Sequence, residues 1–314
     1  GVLSRRQPEG VHHRRQPLGL FLQALGGGGR LLHQRGVLLR HVVQLADGAA
    51  DLAVLDPVWT PAYVTRHHAY MVFDTLVAMD SQGIMRPQML QGWKASDDRL
   101  TYNFTLRPGL EWHDGRPVTA ADVVYSFQRA VTLNKSPGFI LRQFGFVAEN
   151  VLDKVKAIDE NTVQITVSKP YAPTFFYNCL TSGVAAIVDS KLVKANEKDG
   201  DWGNAWLKLN SAGSGAYKVR SYRPNEQYTL DANESWYKGA PKNKRVVVRH
   251  VAEPASQRLL VEKGDVDIAR NLSKDQLAAV KNNEALKIVQ GDKGYILYLG
   301  LNQKNPNLAK PEVV

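Results

Sequence analysis

LTYNFTLRPGLEWHDGRPVTAADV, residues 100–123, joins a strand pattern to a helix pattern across a turn. Leu100, Tyr102, Phe104 and Leu106 alternate with Thr101, Asn103, Thr105 and Arg107, the period-two signal of a half-buried strand. Pro108–Gly109 ends it, and Leu110 and Trp112 resume a short apolar run. Asp114–Gly115 is a turn dipeptide. Thr119, followed three residues later by Asp122, makes a capping box. It predicts a helix whose apolar face carries Val123, Val124, Phe127, Ala130 and Val131. The stretch also sets His113 beside Asp114, so the pair reads as a turn, a ligand contact or a catalytic dyad. A dyad needs the carboxylate to orient the imidazole and a nucleophile nearby. Neighbouring residues on a strand point to opposite faces, which favours the turn.

Working outward, strand and helix patterns interleave. Residues 53–55 read as a short strand ended by Asp56–Pro57. Residues 69–77 carry apolar positions at helical spacing. Asp159 to Asn161 is a hairpin turn before the alternating Val163, Ile165 and Val167. Pro170 and Pro173 open a helix or loop through Tyr177, and residues 184–188 read as a buried strand. Residues 217–219 and 228–230 flank a turn at 223–226, and 246–251 is a strand. Residues 254–263 form a helix stopped by Gly264. Residues 265–268 form a strand, and Ser273 with Gln276 caps a helix to about residue 281. Residues 286–289 and 295–301 are strands. Strands and helices without one regular βαβ repeat place the fold class as α/β or α+β.

At 314 residues the chain has room for two domains, or one with an inserted lobe. Hydrophobic residues make up 44% and charged residues 22%, an ordinary globular balance, and no apolar run is long enough to span a membrane. The net charge of +10 is uneven. Residues 1–50 hold seven Arg, no Lys and the acids Glu9 and Asp47, a net of +5. The body is therefore only mildly basic, and KNKR at 242–245 reads as a solvated turn. Basic clusters with interleaved aromatics are missing, so no nucleic-acid partner is expected. Cys179 is the single cysteine. It excludes an internal disulfide and reads as a small core residue.

Residues 1–50, with Gly26 to Gly29 and Leu pairs between Arg and His, differ from everything after them. Arg14–Arg15 before PLGLFLQALGGGG faintly echoes an export signal. The segment is expected to be non-native or disordered and to stand outside the fold.

Motifs of chemistry are missing: no GxSxG elbow, HExxH, P-loop or GxGxxG occurs. GSGAY at 213–217 precedes a strand, not a helix. His67 and His68 could hold a metal, but helical neighbours diverge by about 100° and no third ligand is near in sequence, so surface histidines are expected. Aromatics near turns (Trp59, Tyr63, Trp112, Phe139, Phe144, Tyr298) are the residue type that lines pockets for organic ligands, although core packing accounts for each singly.

The stretch LQGWKASDDRLTYNFTLRPGLEWHDGRPVTAADVVYSFQRA, residues 90–130, resembles the signature region of bacterial extracellular solute-binding proteins of family 5. These are the peptide-, dipeptide- and nickel-binding receptors of ABC importers. LDP at 55–57, DTLV at 74–77, GSGAYKV at 213–219, NESWYKG at 233–239, VEKGDVDIA at 261–269 and YLGLN at 298–302 follow the family order. The resemblance implies an α/β, two-lobed periplasmic-binding-protein-like fold of class II type with an extra subdomain, of which mainly lobe I is present. Residues 51–290 would form lobe I, with the subdomain at about 66–185, and residues 291–314 the hinge strand and the start of lobe II. Most of lobe II and the return segment are expected to be absent from these residues. The lobes of such proteins close around ligand by hinge motion.

By the same resemblance the chain is a receptor and not an enzyme. It would be periplasmic or lipid-anchored outside the cytoplasmic membrane, monomeric and without cofactor or metal. It would pass a di- or oligopeptide-like solute to ABC permease subunits. The family's ligand-touching positions fall here on Trp59, Thr60 and Tyr63, on Phe139 and Phe144, and on Tyr298 and Asn302. The alternatives are a nickel-type metal-chelate receptor using His67 or His68, and a hydrolase using His113 and Asp114.

Overall fold

The computed structural model describes residues 2–5, 42–47, 55–58, 63–270, 272–289, 301–302, 304–306 and 310, without the side chains of 2–5, 47 and 63–67. Two sheets organise these residues. The larger contains β1 (Val2–Arg5), β2 (Val42–Asp47), β9 (Tyr217–Arg223), β10 (Gln227–Ala232), β11 (Arg245–His250), β12 (Ile268–Arg270) and β13 (Leu286–Val289). Their order is β13-β1-β12-β2-β11-β10-β9. β2 runs parallel to both β11 and β12, whereas β1 is antiparallel to both β12 and β13. The smaller sheet orders β5 (Leu90–Ala95), β6 (Thr101–Leu106), β8 (Thr162–Thr166) and β7 (Val155–Ala157) in antiparallel fashion. β3 (Val77–Met79) and β4 (Met85–Pro87) form a separate hairpin.

The opening stretch folds as its periodicity predicts. Along β6, Tyr102, Phe104 and Leu106 are buried, while Asn103 and Thr105 are exposed. They pack under helix α2 (Ala120–Leu133) in one apolar cluster with Val123, Phe127, Ala130 and Val131. At the helix start, Asp122 accepts from the Thr119 backbone N–H at 2.9 Å. Its other oxygen accepts from the Ser190 N–H at 3.2 Å and the Ser190 hydroxyl at 2.6 Å. One buried carboxylate thus caps a helix and fixes the start of a second one, Ser190–Ala195.

Helix α1 (Tyr63–Val72) ends five residues before the sequence pattern suggests. Its last carbonyl, on Val72, accepts from the Gly215 N–H at 2.9 Å. That approach explains the GSG of residues 213–215. A Cβ on Gly213 would overlap the Val72 carbonyl oxygen, and one on Gly215 would stand 2.6 Å from the Val72 carbonyl carbon. The motif is a helix-end docking surface and not a nucleophile elbow.

Residues 184–188 are buried but pair in no sheet. A 3-10 turn, Gly183–Ala185, opens them, and the N–H groups of Ile187 and Val188 go to Asp74 O and Ser126 Oγ. The hairpin β9–β10, the helix α4 (Pro254–Lys263) with left-handed Gly264 at its end, and β13 follow the sequence pattern. Asp267 ends the turn before β12, which begins only at Ile268. The expected strand at 53–55 lies largely outside the described residues, and the one at 295–301 almost wholly so.

The N-terminal segment differs from expectation. Val42–Asp47 is a central strand, and Val43, Leu45 and Ala46 are buried in it. Arg- and Gly-rich surroundings mask a run, VVQLA, that satisfies strand spacing. Val43 and Leu45 face one core, with Met71, Tyr228, Val246 and Val248, whereas Ala46 faces the opposite one, with Val261, Ala269 and Leu272.

Two buried polar groups define how this body holds together. Asp56, of the LDP motif, and Arg129, on α2, form a bidentate pair with N–O distances of 3.0 and 2.5 Å, both side chains at 1% exposure or less. Asn204 and the Val58 N–H complete the carboxylate, and the Arg129 Nε donates to Trp202 O. His68 is the opposite case. Its ring is fully buried, edge-on to Tyr228 at 5.7 Å and Phe73 at 6.3 Å, with neither ring nitrogen hydrogen-bonded. It is therefore not the surface residue its sequence context suggests. Burial pushes its pKa down to about 3.

Two outcomes follow. Asp56→Asn or Arg129→Met, each leaving an uncompensated buried partner, should cost about 3–5 kcal/mol in urea unfolding. For His68 the unfolded chain, with its imidazole near pH 6.5, binds the extra proton first. Stability should therefore fall as pH drops below about 6.5, by about 2 kcal/mol from this group between pH 7 and 5. In His68→Leu that share of the pH dependence should vanish from the urea midpoints.

Candidate functional site

His113 and Asp114 occupy a tight turn. Trp112 N–H donates to Arg116 O at 2.8 Å, Gly115 N–H donates back to Trp112 O at 2.9 Å, and Glu111 bridges Pro117. Gly115 sits at φ +86°, where a side chain would be strained. The two side chains diverge. His113 Nε2 lies 3.1 Å from Gly215 O, a carbonyl that can only accept, so the ring donates there and is the Nε2–H tautomer. Burial, with help from the Lys218 charge, pushes its pKa down to about 4. Lys218 Nζ donates to the His113 carbonyl at 2.6 Å. Asp114 turns outward to Arg116 at 2.6 Å, and Arg116 also pairs with buried Asp189. This geometry contains no orienting carboxylate for the imidazole.

Three of the sequence motifs converge on Asp74. Its buried carboxylate accepts from Gln88 Nε2 at 2.5 Å, Ser214 Oγ at 3.1 Å and Trp236 Nε1 at 3.4 Å. Burial raises its pKa, opposed by these bonds and by the Lys238 charge. Burial lowers the Lys238 pKa in turn. DTLV, GSGAY and NESWYKG are thus parts of one internal knot.

The places expected to touch ligand divide. Phe139 opens helix α3 (Phe139–Arg142) and is 63% exposed. Phe144 is fully buried, with Phe176 at 4.9 Å and Tyr171 at 4.8 Å, so its ring supports the loop from beneath and faces no cleft. Trp112 is likewise core, at 2% exposure. Asn302 is exposed, its side-chain oxygen accepting from Lys304 N–H at 3.1 Å. Trp59, Thr60 and Tyr298 lie outside the described residues, as does the side chain of Tyr63. Among the described residues no group of three His, Cys, Asp or Glu could hold a metal, and no helix is long and apolar enough to cross a membrane.

Topology points to a different edge. After β2 the chain goes to α1, which packs on the sheet face of Val43 and Leu45. After β11 it goes to α4 and after β12 to α5 (Lys274–Ala279), on the face of Ala46. Connections from adjacent parallel strands therefore leave to opposite sides, and in open α/β sheets such a switch point at the carboxyl ends of the strands is the usual ligand position. Register aligns His250, Asp47 and Arg270 at that end, side by side on β11, β2 and β12. His250 and Arg270 are half-buried, and His250 Nδ1 is buried without a partner. Sequence reading missed this row because only register brings it together.

Comparison with known proteins agrees with this architecture. Residues 85–313 match the family described as bacterial extracellular solute-binding proteins, family 5 Middle. The Escherichia coli K12 protein DdpA, named a probable D,D-dipeptide-binding periplasmic protein, is 33% identical over 270 residues, covering 84% of this chain and 50% of its own. The periplasmic oligopeptide-binding protein OppA of Salmonella typhimurium is 28% identical over 253 residues, 73% of this chain and 44% of its own. The chain thus spans about half the length of the curated relatives it matches. Among solved structures, Haemophilus influenzae OppA in complex with the peptide RPPGFSPFR superposes with a TM-score of 0.66 at 24% identity, over 78% of this chain and 49% of that one. MoaA of A. tumefaciens R10, in complex with mannopinic acid, gives 0.66 at 24% identity over 77% and 47%. These likenesses identify the fold, a partial periplasmic-binding-protein lobe. The ordered motifs, the two-sheet architecture and the family match lead to one conclusion: the chain belongs to the bacterial extracellular solute-binding proteins of family 5.

Proposed function

We propose that this protein is a substrate-binding receptor of an ABC importer, capturing di- or oligopeptide-like solutes in the periplasm and handing them to the permease. The observation that carries the reading is the family match over residues 85–313, joined to a sheet in which connections from adjacent parallel strands leave to opposite faces. The names of the relatives, dipeptide- and oligopeptide-binding, favour a peptide as the solute. Binding without chemistry fits the paired and turned-away side chains of His113 and Asp114. Transfer would depend on differential affinity of open and closed states. Subdivision into lobe I with a subdomain at about 66–185, and ligand contacts by Trp59, Thr60, Tyr63, Phe139, Tyr298 and Asn302, belong to the same proposal.

The metal-chelate alternative loses His68, which is enclosed in the core. The hydrolase alternative loses its dyad geometry. Denaturing the purified protein and identifying released molecules by mass spectrometry should yield peptides, and titration calorimetry with di- to tetrapeptides should show saturable binding. His113→Ala should lower the urea midpoint and remove no turnover. Failure of every peptide to bind, with a hydrolytic activity lost in His113→Ala, would overturn the receptor reading.

A further inference from the structure

Among the described residues the larger sheet ends at β9, with β10 on one side and no strand on the other. Beside that edge lies a cavity of about 420 Å³. Residues 218–222 of β9 line it, as do residues 209–213, with Trp206 and Leu192. Side chains of consecutive strand residues alternate between the two faces, so five of them in a row border one space only along the strand's edge. Residues 209–213 are tied elsewhere: the carbonyls of Ala212 and Gly213 accept from the N–H groups of Asp189 at 3.0 Å and His113 at 3.1 Å. The space is therefore a preformed groove, and five strand residues give it a length of about 17 Å. An open strand edge is a template for another extended chain. Such a chain takes affinity from main-chain hydrogen bonds to the edge and selectivity from the pockets its side chains meet.

The lining supplies those pockets. Leu209 is 59% exposed, Trp206 and Leu192 are half-buried against the core, and the Ser211 hydroxyl is buried without a hydrogen-bond partner. Charge sets the kind of occupant. In the groove β9 presents Lys218 and Arg220 and no acid. Lys218 spends one of its three donors on the His113 carbonyl. Arg220 and Arg245 share the single carboxylate of Asp231, which leaves one positive charge over. Asp114 and Asp189, on the same groove, are both held by Arg116. Opposite charges across a strand pair stabilise it and like charges destabilise it. A second copy laid antiparallel about Arg220 would set that guanidinium against itself. We propose that this groove binds an extended acidic segment of a partner protein, added to β9 as a further strand, with its apolar side chains against Leu209 and Trp206. β9 lies three strands from β2, about 14 Å across the sheet. The groove is thus separate from the carboxyl end of β2, and the inference goes beyond the receptor reading without resting on it.

The test is fluorescence anisotropy of the 314-residue protein with a fluorescein-labelled, end-blocked peptide, Val-Glu-Val-Glu-Val-Glu-Val, and with the same peptide carrying Lys for Glu. The acidic peptide should bind about ten-fold more tightly than the basic one, a difference that two cross-strand charge pairs supply. Hydrogen exchange read by mass spectrometry should slow in residues 217–223 when the acidic peptide is added. Leu209→Asp should weaken its binding, and the double substitution Lys218→Gln, Arg220→Gln should erase the preference, with melting curves verifying that both variants are folded. Equal binding of the two peptides would overturn the proposal, as would protection confined to residues other than 217–223. Absence of binding at millimolar peptide would overturn it too. A dimer in sedimentation that shields residues 217–223 without peptide would give the edge to a second copy and have the same effect. Each of these results leaves the receptor reading to its own test, since none of them measures solute binding at the carboxyl end of β2.

Discussion

The Asp56–Arg129 ion pair is the constraint from which the arrangement of this molecule follows. It ties the loop after the central strand to the main helix of the smaller sheet, and through Asn204 and Trp202 to a third segment far along the chain. Charges this deeply buried are tolerated only when every lone pair and proton is matched, and here each carboxylate oxygen has two donors. Such a pair contributes little net stability over an apolar replacement. Its effect is geometric: only one mutual placement of the three segments satisfies it.

The same logic governs Asp74 and Asp122. Each is a buried carboxylate whose donors come from segments distant in sequence. Together with the close approach of Gly213 and Gly215 to the end of α1, they show why the recognisable motifs are spread along the chain. The motifs are the two halves of internal contacts. Their chemistry is spent inside the protein, on holding distant segments together.

Much of this was legible in the residues. Strand alternation at 101–106, the Thr119 and Ser273 caps, and the glycine stop at 264 are local signals, decided within a few residues of chain. What escaped was decided by distance. Helix α1 stops at Val72 because a loop more than a hundred residues later donates to its last carbonyl. Residues 184–188 have strand composition, but their N–H groups were taken by a carbonyl and a hydroxyl. Phe139 and Phe144 look alike in sequence, and only packing against Phe176 and Tyr171 separates the exposed ring from the buried one. The polar row at the strand ends depends on register between three strands, which no single segment encodes. The strand at 42–47 was hidden for another reason: its neighbours in sequence have the composition of a disordered leader.

The position of β1 has a consequence for how the chain is made. Val2 pairs with Arg270 on one side and Val289 on the other, so β1 meets its partners only across a sequence separation of more than 260 residues. Contacts of such long sequence separation slow folding, and an edge awaiting its mate is exposed to the wrong one. The β5–β8 sheet, with its helix and aromatic core drawn from one continuous stretch, can form while the ribosome is still working. The larger sheet cannot close until β12 and β13 have emerged. Completion of the main sheet therefore waits on segments more than 260 residues apart finding each other.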